Sequence, residues 1–362
     1  MKNVLFVLNN LNGGGAERVI VNIANGFVKN GIEVHLLLGK NEGPYSTLLH
    51  PKITLHELNT TSLLGYVIKL FPFLKGKKYS HIFTASDYTA AALNIVQLFS
   101  KRKFKIICTI HYDIEKQIAT YPIKSQILTK LIYKFLLVKA DWIIGVSDAL
   151  VCTIKNFIKN DKIKVIRIYN PVFDDTIFEL AKDSTNQEVK HKYTIISIGR
   201  LDKGKNQQLL IEAVNILIKK GFDILVYLIG EGSERSNLEN LIHQYQLEEH
   251  VILLGYQNNP FKYLNQADLL VSSSNYEGFG NTIVEALALG INVLSTNCSG
   301  GPMEILNHGE YGWICDVDDS VDMSMKMEVA LKNPKSKAIL MQRATLYHAD
   351  CIIQQYLNLI KA

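Results

Sequence analysis

Apolar positions in the first half of the chain fall into short runs set between longer stretches of helical spacing. Residues 4–8, 34–38, 82–84, 105–110 and 142–146 are almost continuously apolar, whereas 16–28 and 129–138 repeat apolar side chains every three or four positions. Strands that are apolar throughout, rather than on alternate residues, belong in a parallel sheet covered on both faces by crossover helices. The same rhythm restarts after residue 192. Strands are expected at 194–198, 224–229, 251–254, 269–272 and 293–295, with helices at 206–219, 236–245, 282–289 and 320–331. Residues 173–192 are acid-rich and lack apolar periodicity, as an exposed linker would. The pattern therefore predicts an α/β protein of two Rossmann-like, doubly wound domains, 1–172 and 193–345, with a closing segment at 346–362. Ligand sites in such folds lie beyond the C-terminal strand ends, here expected to face each other across a cleft.

Composition narrows the class. A chain of 362 residues, 48% hydrophobic and 20% charged, is a globular protein long enough for two cores. Its five cysteines (108, 152, 298, 315 and 351) show no CxxC spacing, so neither a disulfide framework nor a thiolate metal site is expected. A reducing cytoplasm fits this usage. The first apolar run is too short for a secretory signal, and no run reaches the ~18–20 residues of a spanning helix. The net charge of +5 hides an asymmetry. Residues 1–172 carry 23 Lys/Arg against 10 Asp/Glu, and residues 173–362 carry 16 against 24. A basic first domain suits an anionic partner, either a phosphate-bearing substrate or an anionic membrane surface. No helix-turn-helix, RNP or zinc-finger pattern accompanies the charge, which argues against nucleic acid.

Glycine-rich loops follow several strands. The first, "NNLNGGGAE" (9–17), opens onto a helix whose free N–H groups suit a phosphate. It is not a dinucleotide fingerprint. Arg18 stands where GxGxxG needs its third glycine, and "VHLLLGKNEG" supplies no acidic residue at the end of the second strand. In "GRLDKGKN", Arg200 and Lys205 can clamp a diphosphate, although a solvated loop would look the same in isolation. "GEG" (230–232) reads equally well as a plain turn. The most specific stretch is "SSSNYEGFGNTIVEALALG" (272–290), where Glu277 and Glu285 bracket a glycine-rich helix start. Backbone N–H groups from Phe279 through Gly280, Asn281 and Thr282 can meet a phosphate there, with Glu277 and Glu285 accepting from sugar and ribose hydroxyls. "STNCSGGPMEIL" adds Gly300, Gly301 and Glu304.

With "GGAERV", "IYNPV", "GRL…K", "GEG" and the Glu-x7-Glu block, the chain resembles, over nearly its whole length, the retaining nucleotide-sugar glycosyltransferases of glycosyltransferase family 4. The resemblance implies the GT-B fold and a bacterial role in polysaccharide, lipopolysaccharide or glycolipid synthesis. It further implies that Arg200 and Lys205 hold the diphosphate, Glu277 the transferred sugar and Glu285 the ribose. Phe279–Thr282 would contact phosphate and sugar through the backbone, with Gly255 and Tyr256 at the base. By the same resemblance, Gly14 and Gly15 approach the β-phosphate, His111 of "CTIHYD" lies near the reacting sugar, and the last helix returns to the first domain. One departure is Lys205-Asn206 in place of the usual Lys-Gly.

The donor expected from this resemblance is a UDP-sugar, the acceptor lipid-linked or an oligosaccharide, and no metal is required. The one DxD string, Asp316-Val317-Asp318, is expected in a surface turn away from the glycine loops. The two cations and two helix termini would replace a divalent ion at the diphosphate. Alanine at Arg200 or Lys205 is then expected to cost turnover while leaving folding nearly unchanged. Retention implies that a phosphate oxygen of the nucleotide draws the acceptor proton, leaving His111 to bind and position. Stretches 65–79 and 121–141 interleave lysine with apolar and aromatic residues, which suits a peripheral place on an anionic leaflet through Lys75, Lys77, Lys78 and Phe71 or Phe73. The competing readings are a sugar-nucleotide epimerase of the same fold, for which the basic first domain has no use, and a non-catalytic subunit binding nucleotide or glycan.

Overall fold

A computed structural model describes residues 3–12, 14–85, 87–100, 104–119, 122–137, 139–160, 163–183 and 191–361. The chain forms two compact units: Met1–Val172 together with Ala349–Ala362, and Phe173–His348.

The first unit is built on seven parallel strands. They are β1 (Asn3–Leu8), β2 (Glu33–Leu38), β3 (Thr54–Glu57), β4 (His81–Thr84), β5 (Lys105–Ile110), β6 (Trp142–Gly145) and β7 (Val165–Arg167). Their order is β3-β2-β1-β4-β5-β6-β7, so the direction of winding reverses between β1 and β4. The apolar run of β1 is buried on both faces, as its lack of alternation requires. Phe6 stacks on Phe83 at 4.9 Å, and Phe27 of helix Gly15–Lys29 meets both rings edge-on. Helix Ala349–Lys361 packs its Ile352, Ile353 and Tyr356 into this same core, beside helix Gly15–Lys29. Strands β3 and β7 escape the apolar pattern. Both are short sheet edges, and "TLHE" of β3 is largely exposed.

The second unit repeats the design. Strands β8 (Tyr193–Ile198), β9 (Ile224–Ile229), β10 (Val251–Gly255), β11 (Leu269–Ser272), β12 (Tyr276–Glu277), β13 (Asn292–Thr296), β14 (Ser299–Gly300) and β15 (Trp313–Cys315) follow in sequence. Six of them form a parallel sheet of order β10-β9-β8-β11-β13-β15, while β12 and β14 pair apart from it. Winding reverses between β8 and β11, and the loops leaving these two strands carry the predicted chemistry.

The segment expected to be an exposed linker is partly built into this second unit. Phe173, Ile177 and Ala181 are buried, with helix Thr176–Leu180 between them. Asn259 donates to the Leu180 carbonyl (2.8 Å) and Asn265 to the Ala181 carbonyl (3.2 Å). The acidic side chains Asp175 and Glu179 point outward and mask the sparse apolar anchors in the sequence. The rest of that segment, residues 184–190, lies outside the described residues. Among the described residues, no helix is long and apolar enough to cross a membrane.

Candidate functional site

Loops leaving β8 and β11 are stitched together side by side. After β8 the chain turns through Gly199–Asn206 into helix Gln207–Lys219, and after β11 it runs through Ser273–Gly280 into helix Asn281–Leu289. Asn206 sits at φ 47°, in the left-handed region that glycine and asparagine tolerate best, which accounts for Asn in place of the usual Gly. Its amide donates to Asn275 Oδ1 (3.0 Å) and to Asp318 Oδ1 (2.8 Å). Asn275 in turn donates to the carbonyls of Gly204 and Lys203 at 2.8 and 3.1 Å. Ser273 Oγ donates to the Lys205 carbonyl at 2.9 Å. The DxD string was expected far from these loops. Asp318 instead abuts Asn206: the turn after the edge strand β15 reaches the loop that leaves β8.

This stitching brings Lys205 and Glu277, 72 positions apart, into a direct ion pair between Nζ and Oε2. Their side chains are 27% and 17% exposed, so the pair is reachable yet largely withdrawn from water. Ser274 Oγ donates to the same carboxylate oxygen at 3.4 Å. Lys205, Gln207, Ser272, Ser273, Ser274 and Thr282 line a small recess at the mouths of both helices. Arg200 stands in the same loop with its side chain 77% exposed, 3.4 Å from Asp202. Its own carbonyl accepts from Gln207 Nε2 at 2.9 Å. Cys298 lies close by, but burial pushes its thiol up to about 11, which leaves it protonated and without a nucleophilic role.

Glycines are required here by backbone meeting backbone. Gly300, at φ +126°, lies so close to the Glu277 carbonyl that no side chain fits, and Gly301 is likewise pressed on Phe279. Gly230 and Gly232 press on the carbonyls of Gly199 and Leu201, and the Leu201 N–H donates to the Glu231 carbonyl at 3.0 Å. "GEG" thus supports the arginine loop. Gly280 begins helix Asn281–Leu289 at φ +106°. Phe279 is buried edge-on against Tyr347 at 5.6 Å. Asn281 and Thr282 occupy the first turn, and the N-cap residue, Gly280, has no side chain to cap the helix. Glu285 lies one turn further in and is only 4% exposed. Gly255 ends β10 and Tyr256 follows it, with Tyr256 exposed and the Gly255 carbonyl accepting from the Gly230 N–H at 2.9 Å.

Sequence reasoning missed Asn206, Asn275 and Ser273, whose roles appear only once the loops meet. It also missed Arg343, which donates to the carbonyls of Ile305 (2.9 Å) and Glu304 (2.6 Å) and so braces the turn after β14.

The remaining predicted residues lie in the first unit. Gly14 precedes helix Gly15–Lys29, and Glu17 of the first turn folds back over it, placing a carboxylate at the helix's positive end. Gly13 lies outside the described residues. His111 follows β5, its Nε2 3.1 Å from Thr109 Oγ1. Burial pushes the imidazole down to about 4, so it is neutral at pH 7. Among the described residues, no three His, Cys, Asp or Glu side chains cluster as metal ligands.

Two doubly wound units of this order match solved glycosyltransferases of the GT-B fold. Anabaena HepE, solved in complex with UDP, superposes with a TM-score of 0.81 over 100% of both chains at 20% identity. Sucrose-phosphate synthase from Thermosynechococcus elongatus superposes with 0.85 over 99% of this chain and 98% of that one, at 18% identity. The chain belongs to glycosyltransferase family 4: the family model described as "Glycosyltransferase Family 4" matches residues 13–175, and "Glycosyl transferases group 1" matches 180–346. One relative is the N-acetylgalactosamine-N,N'-diacetylbacillosaminyl-diphospho-undecaprenol 4-alpha-N-acetylgalactosaminyltransferase of Campylobacter jejuni. It is 28% identical over 95% of this chain and 94% of its own. Another, N-acetyl-alpha-D-glucosaminyl L-malate synthase of Bacillus anthracis, is 23% identical over 95% and 92%.

Proposed function

We propose that the protein transfers a hexose or N-acetylhexosamine from a nucleotide sugar, with UDP as the nucleotide, to a hydroxyl of a lipid-linked or oligosaccharide acceptor. The transfer retains configuration and serves a bacterial surface polysaccharide or glycolipid. The observation that carries this reading is the Lys205–Glu277 pair at the mouths of two helices. A cation for the departing diphosphate and a carboxylate for sugar hydroxyls stand side by side, as cleavage of a sugar–phosphate bond requires. Arg200, exposed in the same loop as Lys205, supplies the second cation, and the N-terminal N–H groups of helix Asn281–Leu289 the neutral donors. Negative charge grows on the diphosphate as the bond breaks, and these groups stabilise it in place of a divalent ion. Glu285 is assigned to the ribose, Gly255 and Tyr256 to the base, Gly14 and Gly15 to the β-phosphate, and His111 to the sugar and acceptor side. The UDP complexes of HepE and the undecaprenol-linked acceptor in the Campylobacter enzyme's name support donor and acceptor class.

Two helices of the first unit support a place on an anionic leaflet. Helix Leu63–Leu74 exposes Leu64, Ile68 and Phe71, and helix Ile123–Leu137 exposes Ile123, Ile127, Leu128 and Leu131. Both sets recur at helical spacing, and exposed Lys75 and Lys78 follow the first. Phe73 is instead half-buried against His56, with Lys77 over its ring, so Phe71 is the residue available to lipid.

The test is nucleotide release from a panel of UDP- and GDP-sugars, with an undecaprenyl-diphosphate-linked sugar as acceptor, with and without EDTA. Turnover with a UDP-sugar that survives EDTA is expected. Release from no member of the panel would overturn the reading.

A further inference from the structure

We propose that Thr109 fixes the tautomer of His111, with the proton on Nε2, so that Nδ1 offers a lone pair to a substrate hydroxyl. The inference rests on the assignment of His111 to the sugar and acceptor side, and it gives that residue a definite chemical polarity.

The geometry is a short chain of hydrogen bonds at the C-terminal ends of β4 and β5. Thr109 is fully buried on β5, and its Oγ1 lies 3.2 Å from the main-chain carbonyl oxygen of Thr84 on β4. That carbonyl can only accept, so the single hydroxyl proton of Thr109 is directed to it. The Thr84 hydroxyl is engaged separately, with Thr89. Thr109 Oγ1 is also 3.1 Å from His111 Nε2. With its proton committed to Thr84, the oxygen presents a lone pair to the ring, and Nε2 must supply the hydrogen. A neutral imidazole carries one N–H and one bare nitrogen, so a proton on Nε2 leaves Nδ1 as an acceptor.

An acceptor at Nδ1 selects its ligand. It binds an O–H or N–H group and repels phosphate oxygens, which excludes His111 from the diphosphate and suits it to a sugar hydroxyl. Thr109 never touches substrate in this account and is a positioning residue.

The test uses full-length protein labelled with 15N-histidine, at mildly alkaline pH, in long-range 1H–15N correlation spectra. Comparison with His111→Gln assigns the His111 signals. A pyrrole-type Nε2 with a pyridine-type Nδ1 is expected, and the reverse pattern would overturn the proposal. In Thr109→Val, which keeps the shape and loses the hydroxyl, the two tautomers should mix and turnover should fall about 10-fold. Thr109→Ser should restore both. A Thr109→Val protein with the wild-type spectrum and rate would also overturn it. Should Thr109→Val not fold, the wild-type and Thr109→Ser spectra still decide. The spectra are recorded without donor or acceptor, so a failed transferase assay leaves the tautomer result intact, and a wrong tautomer leaves the transferase reading intact.

Discussion

Replacing Lys205 with Met separates what the Lys205–Glu277 pair does for folding from what it does for chemistry. The substitution keeps most of the stem and removes the ammonium. Glu277 then keeps Ser274 as its side-chain donor, at 3.4 Å, in a position only 17% exposed. Breaking a fully buried pair by removing one partner costs about 3–5 kcal/mol. The residual exposure and the serine reduce this to roughly 1–3 kcal/mol. For a unit of this size such a loss lowers Tm by roughly 3–10 °C. The alanine expectation drawn from sequence, of folding nearly unaffected, therefore does not carry over to Lys205, because the paired carboxylate depends on it. Turnover should fall on the order of 100-fold or more, since charge developing on the diphosphate loses a cation. Adding Glu277→Gln to Lys205→Met should recover most of the lost Tm and none of the rate. Scanning calorimetry and nucleotide release on the single and double variants make the comparison. A Lys205→Met protein with wild-type Tm and near wild-type turnover would refute both halves of the reasoning.

Arg200→Ala should differ from Lys205→Met. With its side chain 77% exposed, Arg200 contributes little to folding, so Tm should hold while turnover falls on the order of 100-fold in the same release assay. His111 predicts a pH effect: its folded-state value of about 4 lies below the usual 6.5, so the unfolded chain binds the extra proton first. Its share of stability is complete above about pH 6.5 and lost as pH falls toward about 4, and urea unfolding of His111→Gln should show a shallower decline across that range. For the membrane face, Lys75→Glu with Lys78→Glu should release the protein from anionic vesicles in cosedimentation, each lysine contributing roughly 1 kcal/mol. Lys77, over the Phe73 ring at 3.6 Å, is left in place because its loss would also disturb packing.

Both sheets were legible because their strands are apolar on both faces and their helices repeat at helical spacing. The two edge strands of the first sheet were not, since β3 and β7 bury too little to leave a pattern. The loops carrying Arg200, Lys205 and Glu277 stand out by charge and glycine after strand ends, a local signal, whereas Glu285 stands out only as a charge within an apolar helix. The pairing of Lys205 with Glu277 could not, because it depends on two loops meeting through Asn206, Asn275 and Ser273. Glycines carried an ambiguity of the same kind. Sequence shows that something approaches Gly230, Gly232 and Gly300 closely, and only the fold shows that it is the chain's own backbone. The polar Asp316-Val317-Asp318 string misled for the converse reason: distant in sequence, it ends beside the lysine loop.

The central claim, that the loops carrying Arg200, Lys205 and Glu277 hold the diphosphate of a nucleotide sugar, is tested most directly by calorimetric titration of UDP. Wild-type protein, Arg200→Ala and Lys205→Met would be measured side by side, each first shown to be folded. The account predicts one UDP per chain for the wild type, and an affinity at least about 10-fold weaker in each variant, as loss of a charge-assisted hydrogen bond implies. Wild-type protein that binds no UDP, or variants that bind it as tightly as the wild type, would contradict it.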